Sequence, residues 1–306
     1  MDRLRNILVA TDLSDGGTAA LVEAARLARL GPSDLHVLHV ANDETGAELR
    51  QFLGAGAPAT DDILRARSEE FLREQLAELG IAPKSVTVIL GTPIQKIVEA
   101  VGDVSADLLV VGAIGSSGRS TIGTTAVRCV RKVPTKVLIV PPSGGGAFER
   151  TVACVDFSAL SPVVVLQAAR VGHLDGSRVF AIHCYQLPWE RARWGPPPKD
   201  AAYVGGQFRE VLQRRFETEL LPHAHGHPIE FHPTVNADFS TGIVGFARDH
   251  DADLVVLGTT GRTALAYMLL GTTAEKVMRS IGCAVLAVKL PGDGVKPIGG
   301  KDEPTP

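Results

Sequence analysis

No stretch of this 306-residue chain approaches the roughly 18 consecutive apolar residues that a bilayer-spanning helix needs. The first apolar run, Ile7-Leu8-Val9-Ala10, is too short for the core of a secretory leader, and no small-residue cleavage site follows it. There is no block of Lys or Arg. The 31 basic and 34 acidic side chains leave a formal net charge of −3 at pH 7, which gives a nucleic acid no electrostatic hold. Cysteine is scarce. Cys129, Cys154, Cys184 and Cys283 form no Cys-x-x-Cys pair and no metal-ligand spacing. Beside apolar runs they read as small buried hydrophobes of a reducing compartment. The expectation is a cytoplasmic chain with neither a membrane nor a nucleic acid as partner.

What is present is a globular balance, 45% apolar and 21% charged, in a chain long enough for two ordinary domains. The sequence repeats itself. Ile7-Leu8-Val9-Ala10-Thr11-Asp12 returns as Val152-Ala153-Cys154-Val155-Asp156, Leu35 to Val40 as Val179 to Cys184, Asp107 to Gly112 as Asp253 to Gly258, and Val137 to Val140 as Val285 to Val288. The offset is 144 positions at Asp12 and Asp156, 146 at Asp107 and Asp253, and 148 at Val140 and Val288. A drift that small, confined to loops, marks a duplication. Pro141-Pro142-Ser143-Gly144-Gly145-Gly146 continues neither strand nor helix. The expected organisation is therefore domain 1 over 1–142, a linker over 143–149, domain 2 over 150–290, and a disordered Gly/Pro/charge-rich tail over 291–306.

Each half alternates short β-branched runs with longer amphipathic stretches. In the first half the spacing predicts helices over 17–30, 61–79, 94–101 and near 124–131, with strands at 86–90 and 108–111. Ser14 is placed to cap the first helix, and Ser161-Pro162 reads as cap and first residue of its counterpart. Alternating β and α with continuous apolar strands means an α/β fold: two tandem Rossmann-like, doubly wound domains, each with a five-stranded parallel sheet in the order 3-2-1-4-5. Ligands of such sheets bind at the switch point, beyond the carboxyl ends of strands one and four.

At that point stand Ala10-Thr11-Asp12 in one half and Cys154-Val155-Asp156 in the other, each facing a glycine-rich loop. The second half has Gly258-Thr259-Thr260-Gly261-Arg262, then Gly271-Thr272-Thr273. The first has Gly112-Ala113-Ile114-Gly115, with Arg119, then Gly123-Thr124-Thr125. Glycines let backbone approach a ligand, and the Gly-Thr-Thr opens a helix whose free N–H groups and dipole suit a phosphate. Arg262 and Arg119 can add charge. The Asp12 and Asp156 carboxylates would repel a phosphate and suit the hydroxyl or amine donors of a nucleoside.

On these residues the stretch 4–290 resembles the universal stress protein family in its tandem two-domain form. Nucleotide-binding members carry Gly-x-x-Gly, nine residues, then Gly-Ser/Thr, and the second half is similar without change: Gly258, Gly261, nine residues from Arg262 to Leu270, then Gly271-Thr272. The resemblance implies ATP, with Mg²⁺ as an optional companion, its triphosphate along this loop and its adenosine against Cys154, Asp156 and Cys184. In the first half the same roles fall to Ala10, Asp12 and Val40, but seven residues separate Gly115 from Gly123, so that phosphate site is the altered one. Conversely, Gly91-Thr92-Pro93 keeps the family's Gly-x-Pro, and the second half has Ala237-Asp238-Phe239.

Other features read as structure. His223, His225 and His227 alternate on a turn, with His232 nearby, and no metal site is expected. The Trp/Pro-rich stretch 185–206 is a loop packed on its own domain, or a lid or partner surface. His39 and His183 recur at one strand position as satisfied strand-end residues. There is no Gly-x4-Gly-Lys-Ser/Thr and no acid/base pair for general catalysis. The expectation is an ATP-binding stress-response or signalling module and not an enzyme, against two alternatives: a slow ATPase, and an interaction module without nucleotide. The final strands are expected to pair within the chain, and a homodimer and an unidentified protein partner complete the partners.

Overall fold

The computed structural model describes residues 4–41, 60–113, 122–187, 189, 199–260 and 270–290. The first half runs β1 (Asn6–Thr11), α1 (Asp15–Leu30), β2 (Asp34–Ala41), α2 (Thr60–Glu78), β3 (Ser85–Leu90), α3 (Pro93–Asp103), β4 (Leu108–Gly112), α4 (Thr124–Lys132) and β5 (Lys136–Val140). The second half runs β6 (Arg150–Cys154), α5 (Ser161–Asp175), β7 (Arg178–Tyr185), α6 (Ala201–Arg215), β8 (Ile229–Val235), α7 (Phe239–Asp249), β9 (Leu254–Gly258), α8 (Thr272–Ser280) and β10 (Ala284–Val288). Helix α6 continues as a π-turn over Phe216–Leu220 and a 3₁₀ turn over Leu221–Ala224.

Strands of each half pair in parallel in the order 3-2-1-4-5. The two sheets are joined: β5 pairs antiparallel with β10, Leu138 opposite Leu286, so that one ten-stranded sheet runs β3-β2-β1-β4-β5-β10-β9-β6-β7-β8. The inner strands are buried on both faces, which is why they read as unbroken apolar runs, while the edge strands β3 and β8 are largely half-buried or exposed. Alternate residues divide between the faces. Ile7 and Val9 belong to the core layer that α1, α2 and α5 cover, and Leu8 to the opposite layer, covered by α3, α4, α7 and α8. Among the described residues, no helix is long and apolar enough to cross a membrane.

Ser14 caps α1 as its sequence position requires, its side chain accepting from the Gly17 N–H at 3.2 Å. Ser161 does not do the expected job. The cap of α5 is Leu160, and Ser161 is already in the first turn. Its Oγ accepts from the Asp156 N–H and donates to Asp156 Oδ1, both at 3.1 Å, so the carboxylate behind it outcompetes the helix ahead. In the second half, Asp238 replaces the lost Gly-x-Pro as a cap: its Oδ1 accepts from the Thr241 N–H at 3.1 Å and from the Ser240 hydroxyl. These bonds hold its carboxyl down at about 2.

A buried charge cluster ties the halves together behind the sheet. Arg26 of α1 grips Glu23 with Nε and Nη2 (2.9 and 2.8 Å) and Asp175 of α5 with Nη1 and Nη2 (2.7 and 3.0 Å). Asp175 also accepts from the Phe148 N–H at 3.0 Å. Glu23 is fully buried, and the Asp175 side chain is 3% exposed. Burial works against the Arg26 charge, but its bonds to Glu23 and Asp175 outweigh it and hold the guanidinium protonated more firmly than usual. On the opposite face, Glu275 of α8 bonds Arg131 of α4 across the same seam.

Removing one partner of such a cluster leaves buried charge uncompensated. Arg26→Ala is expected to cost about 3 kcal/mol in urea unfolding. Arg67→Ala, whose pair with Glu70 is mostly in solvent, should cost less than about 1 kcal/mol. Equal effects would show that the cluster does not hold the halves.

Three histidines make acid destabilising. His227 seats its ring on Gly172, in the space a Cβ would need, and its Nε2 lies 3.1 Å from the Ser177 carbonyl oxygen. His36 and His232 are the others. Burial pushes all three below the ordinary histidine range. Lys84 adds to this at His36, and His250 and Arg178 add to it at His232, against Glu230. The unfolded chain therefore takes up these protons first, so stability is full above about pH 6.5 and falls as pH drops below it. The urea midpoint should be lower at pH 5.5 than at 7.5, and His232→Phe should flatten part of that slope.

Candidate functional site

The two switch points lie at opposite ends of the sheet, because the strands of one half run antiparallel to those of the other, and they are built alike. At each, the chain leaves the first strand of the half, turns through Asp12 or Asp156, and enters a helix. The residue after the aspartate has a left-handed backbone in both copies, Leu13 at φ 64° and Phe157 at φ 58°. A bulky residue there is strained, and it persists because the surroundings over-determine it. Asp12 Oδ1 accepts from the backbone N–H and hydroxyl of Ser14. Asp156 Oδ1 accepts from the Ser158 N–H at 2.9 Å and from the Ser161 hydroxyl. In both halves the N–H of the serine two positions on bonds the carboxylate, and one serine hydroxyl joins it, from two positions on in the first half and from five on in the second.

The histidines of the second strands hold the residue before the aspartate. His39 Nδ1 lies 2.9 Å from the Thr11 carbonyl oxygen, and His183 Nδ1 lies 2.8 Å from that of Val155. Both rings are buried, and each donates to a carbonyl that would otherwise turn with the strained residue. His183 also meets the edge of the Phe157 ring, with centroids 4.9 Å apart, and Arg215 lies over that ring at 4.3 Å.

The fourth strand of each half closes against this turn. A Cβ on Gly112 would stand 2.6 Å from the carbonyl carbon and oxygen of Gly16, and one on Gly258 would stand 3.1 Å from the Leu160 side chain. The chain then departs and returns, for the Gly123 N–H bonds the Ala113 carbonyl at 2.7 Å and the Gly271 N–H bonds that of Thr259 at 2.8 Å. Helices α4 and α8 begin immediately after, at Thr124 and Thr272, with glycine caps and no side-chain cap bond. Their first N–H groups are left for another acceptor. Thr125 and Thr273 follow in the same turn. Ala10 is the last residue but one of β1 and Cys154 ends β6, and Val40 and Cys184 lie near the ends of the second strands. Burial pushes the Cys184 thiol up to about 11 and Cys154 beyond the usual range, which makes them apolar walls and not nucleophiles. The structure thus brings together Cys154, Asp156, Gly258, Gly271, Thr272 and Thr273 at one strand-end cluster, and Ala10, Asp12, Gly112, Gly123, Thr124 and Thr125 at the other. Gly261, Arg262, Gly115 and Arg119 lie outside the described residues.

The other candidates fall elsewhere. His223 sits in the 3₁₀ turn, His225 takes a left-handed φ of 49° at its end, His227 packs on α5, and His232 lies within a ring stack on β8. Among the described residues, no three His, Cys, Asp or Glu side chains are grouped to hold a metal ion. The stretch 185–206, read as a loop, begins in β7 at Tyr185 and ends inside α6, which starts at Ala201; 188 and 190–198 lie outside the described residues, and Trp189 packs against a small cluster of Tyr185, Leu187 and Leu212.

The glycines at one loop have different jobs, and substitution separates them. Gly112→Ala should destabilise the fold by about 1–3 kcal/mol, because its Cβ meets backbone. Gly123→Ala, whose Cβ would find its closest neighbour at 3.5 Å, should be nearly neutral. Thermal unfolding of the two variants tests this, and equal losses would assign both glycines to packing.

Comparison with known proteins agrees with this architecture. The family model described as the universal stress protein family matches twice, over residues 3–141 and 147–289. A universal stress protein of Synechocystis sp. is 24% identical over 314 residues, covering 94% of this chain and all of that protein. One from Methanocaldococcus jannaschii is 53% identical over 49 residues, covering 16% of this chain and 29% of that protein; the match to a universal stress protein E homolog of Haemophilus influenzae spans 20% of its length. The crystal structure of a universal stress protein from Archaeoglobus fulgidus, 20% identical, superposes over 93% of this chain and 98% of its own with a TM-score of 0.66. With both halves matched by the family model, the chain belongs to the universal stress protein family, as a tandem of two copies.

Proposed function

We propose that the second half holds ATP at its switch point, and that occupancy alters a surface read by a protein partner, so that the chain acts as a nucleotide-dependent stress-response or signalling module and not as an enzyme. The observation that carries this reading is the meeting, at one end of the sheet, of the Gly258 strand end, the uncapped N-terminus of α8 and the Asp156 turn. The intact Gly-x-x-Gly, nine-residue, Gly-Thr spacing joins them. Phosphate oxygens would take the free N–H groups at Thr272 and Thr273, with Arg262 adding charge. Asp156 would take nucleoside donors, with Cys154 and Cys184 as apolar walls. Mg²⁺, where it accompanies the triphosphate, suits the Thr272 hydroxyl. The first half offers the same arrangement around Asp12 and α4, with a loop shorter by two residues, and is the weaker site.

The chain's own pairing constrains its partners. Strands β5 and β10 are consumed by each other, so a homodimer would use the β3 or β8 edge or a helical face.

Wild-type protein, denatured and run on anion exchange, should release ATP or ADP, and a Gly261→Val/Gly271→Val variant should release none. An empty wild type that also fails to take up added ATP would overturn the proposal and leave an interaction module. Steady phosphate release that survives in the glycine variant would mark a contaminant, and release lost with it would favour the slow ATPase.

A further inference from the structure

At the outer edge of the first half, on the α3 side of the sheet, a groove of about 270 Å³ lies between α3 and strands β1, β2 and β3. Its floor includes Leu8, Leu38 and Ile89, and its rim carries the Lys96–Glu99 pair and Asp103. His36 lines it and is 8% exposed. The His36 Nδ1 lies 2.7 Å from Ser85 Oγ, while Nε2 is buried with no hydrogen-bond partner. Buried polar atoms are nearly always satisfied, so an unpaired ring nitrogen beside a groove calls for an account.

The duplication supplies one, because the second half shows what fills this place. His36 stands beside Ser85 in the β2–β3 register, as Phe180 stands beside Glu230 in β7–β8. Two residues further on, Thr87 corresponds to His232. Helices α3 and α7 are both 11 residues long, which sets Ala100 against Phe246 and Val104 against His250. The second half therefore carries four rings here, Phe180, His232, Phe246 and His250, packed with centroids 3.8 to 6.2 Å apart. The first half keeps one ring, His36, and has Thr, Ala and Val where the other three would be. The same backbone frame is plugged with aromatic side chains in one copy and open in the other.

We propose that the open groove binds a small planar heteroaromatic molecule, which occupies the space filled in the second half by His232, Phe246 and His250 and hydrogen-bonds the His36 imidazole. The occupant is specified by its intramolecular counterpart: flat rings, stacked edge and face, against aliphatic floor residues. The rim sets its charge. Two carboxylates, Glu99 and Asp103, against one ammonium, Lys96, favour a neutral or weakly basic azole over an acid. This site is separate from the switch point, which lies at the carboxyl ends of the strands, whereas His36 is near the start of β2.

Benzimidazole is the probe, titrated into full-length protein labelled with ¹⁵N-histidine. Saturable binding should move the His36 ring nitrogen resonances. Ala100→Phe with Thr87→His, which copies the second half, should weaken binding about tenfold or more, and so should His36→Phe, copying Phe180, if the double variant folds poorly. The reverse set in the second half, Phe180→His, His232→Thr, Phe246→Ala and His250→Val, should raise the stoichiometry from one site to two. The proposal is overturned if nothing saturates by ~10 mM, the weak end for so small a ligand, or if His36 stays unmoved. Binding that persists in Ala100→Phe/Thr87→His and is displaced by ATP would place the probe at a switch point instead and equally overturn it.

Discussion

The antiparallel pairing of β5 with β10 is the constraint on which the rest of this molecule depends. A five-stranded parallel sheet of this kind ends in an apolar edge, Val137 to Val140 in one copy and Val285 to Val288 in the other, and a bare edge of that sort invites association. Pairing the two edges within one chain removes both at once. It also fixes the halves about an approximate two-fold axis, which sets α1 beside α5 on one face and α4 beside α8 on the other. The Arg26 cluster and the Arg131–Glu275 pair follow from that placement. Neither is two-fold symmetric: the positions matching Glu23 and Asp175 are Gln167 and Gly31, and the position matching Glu275 is Val127. The seam therefore distinguishes one half from the other and favours the intramolecular partner over a second copy of the same half.

Inside that frame the two copies have moved apart in places that do not bear on the sheet. The aspartate turn is kept in both, with its left-handed residue, serine bond and histidine clamp, although the serine has changed position. The helix start after β3 is kept as well, by proline at Pro93 in one copy and by the Asp238 cap in the other. What differs is what surrounds the kept parts. The second switch point is walled by Phe157, His183 and Arg215 and holds the longer loop. The first half has an aliphatic Leu13 in the place of Phe157, the shorter loop, and an open groove at its outer edge. Divergence of this kind is expected of a duplication in which each copy is relieved of part of the other's work.

Much of this was legible in the sequence, for identifiable reasons. Strand order follows from alternating β and α, and in the first half the helices and strands lie within a residue or two of the observed ones because the apolar periods are clean; the stretch 185–206, read as a loop, gives its last six residues to α6. Ser14 was readable as a cap because its partner, the Gly17 N–H, is three residues away. Ser161 was misread because its partner is also local but lies behind it: the same residue type serves Asp156 and not the helix, and only the turn geometry decides between them. The left-handed Leu13 and Phe157 carry no sequence signal, since that backbone region normally announces itself by glycine. The Arg26–Asp175 contact joins residues 149 apart and depends on the seam, which no local pattern encodes.

The glycines show most clearly why fold and site cannot be read separately here. From sequence, Gly112, Gly123, Gly258 and Gly271 form one set, a phosphate-loop signature. In three dimensions they divide. Gly112 and Gly258 are required whether or not a ligand is present, because the fourth strand runs into the first turn of α1 or α5 and leaves no room for a Cβ against backbone in one copy and little against Leu160 in the other. Gly123 has ordinary space around it, and it stands where a helix opens with no side-chain cap. In a substituted chain, a glycine of the first kind damages the sheet and a glycine of the second kind damages only what the helix end would hold. A switch point of this fold therefore owes its close strand-to-helix packing to the first pair, and its capacity for an anion to the helix starts at Gly123 and Gly271.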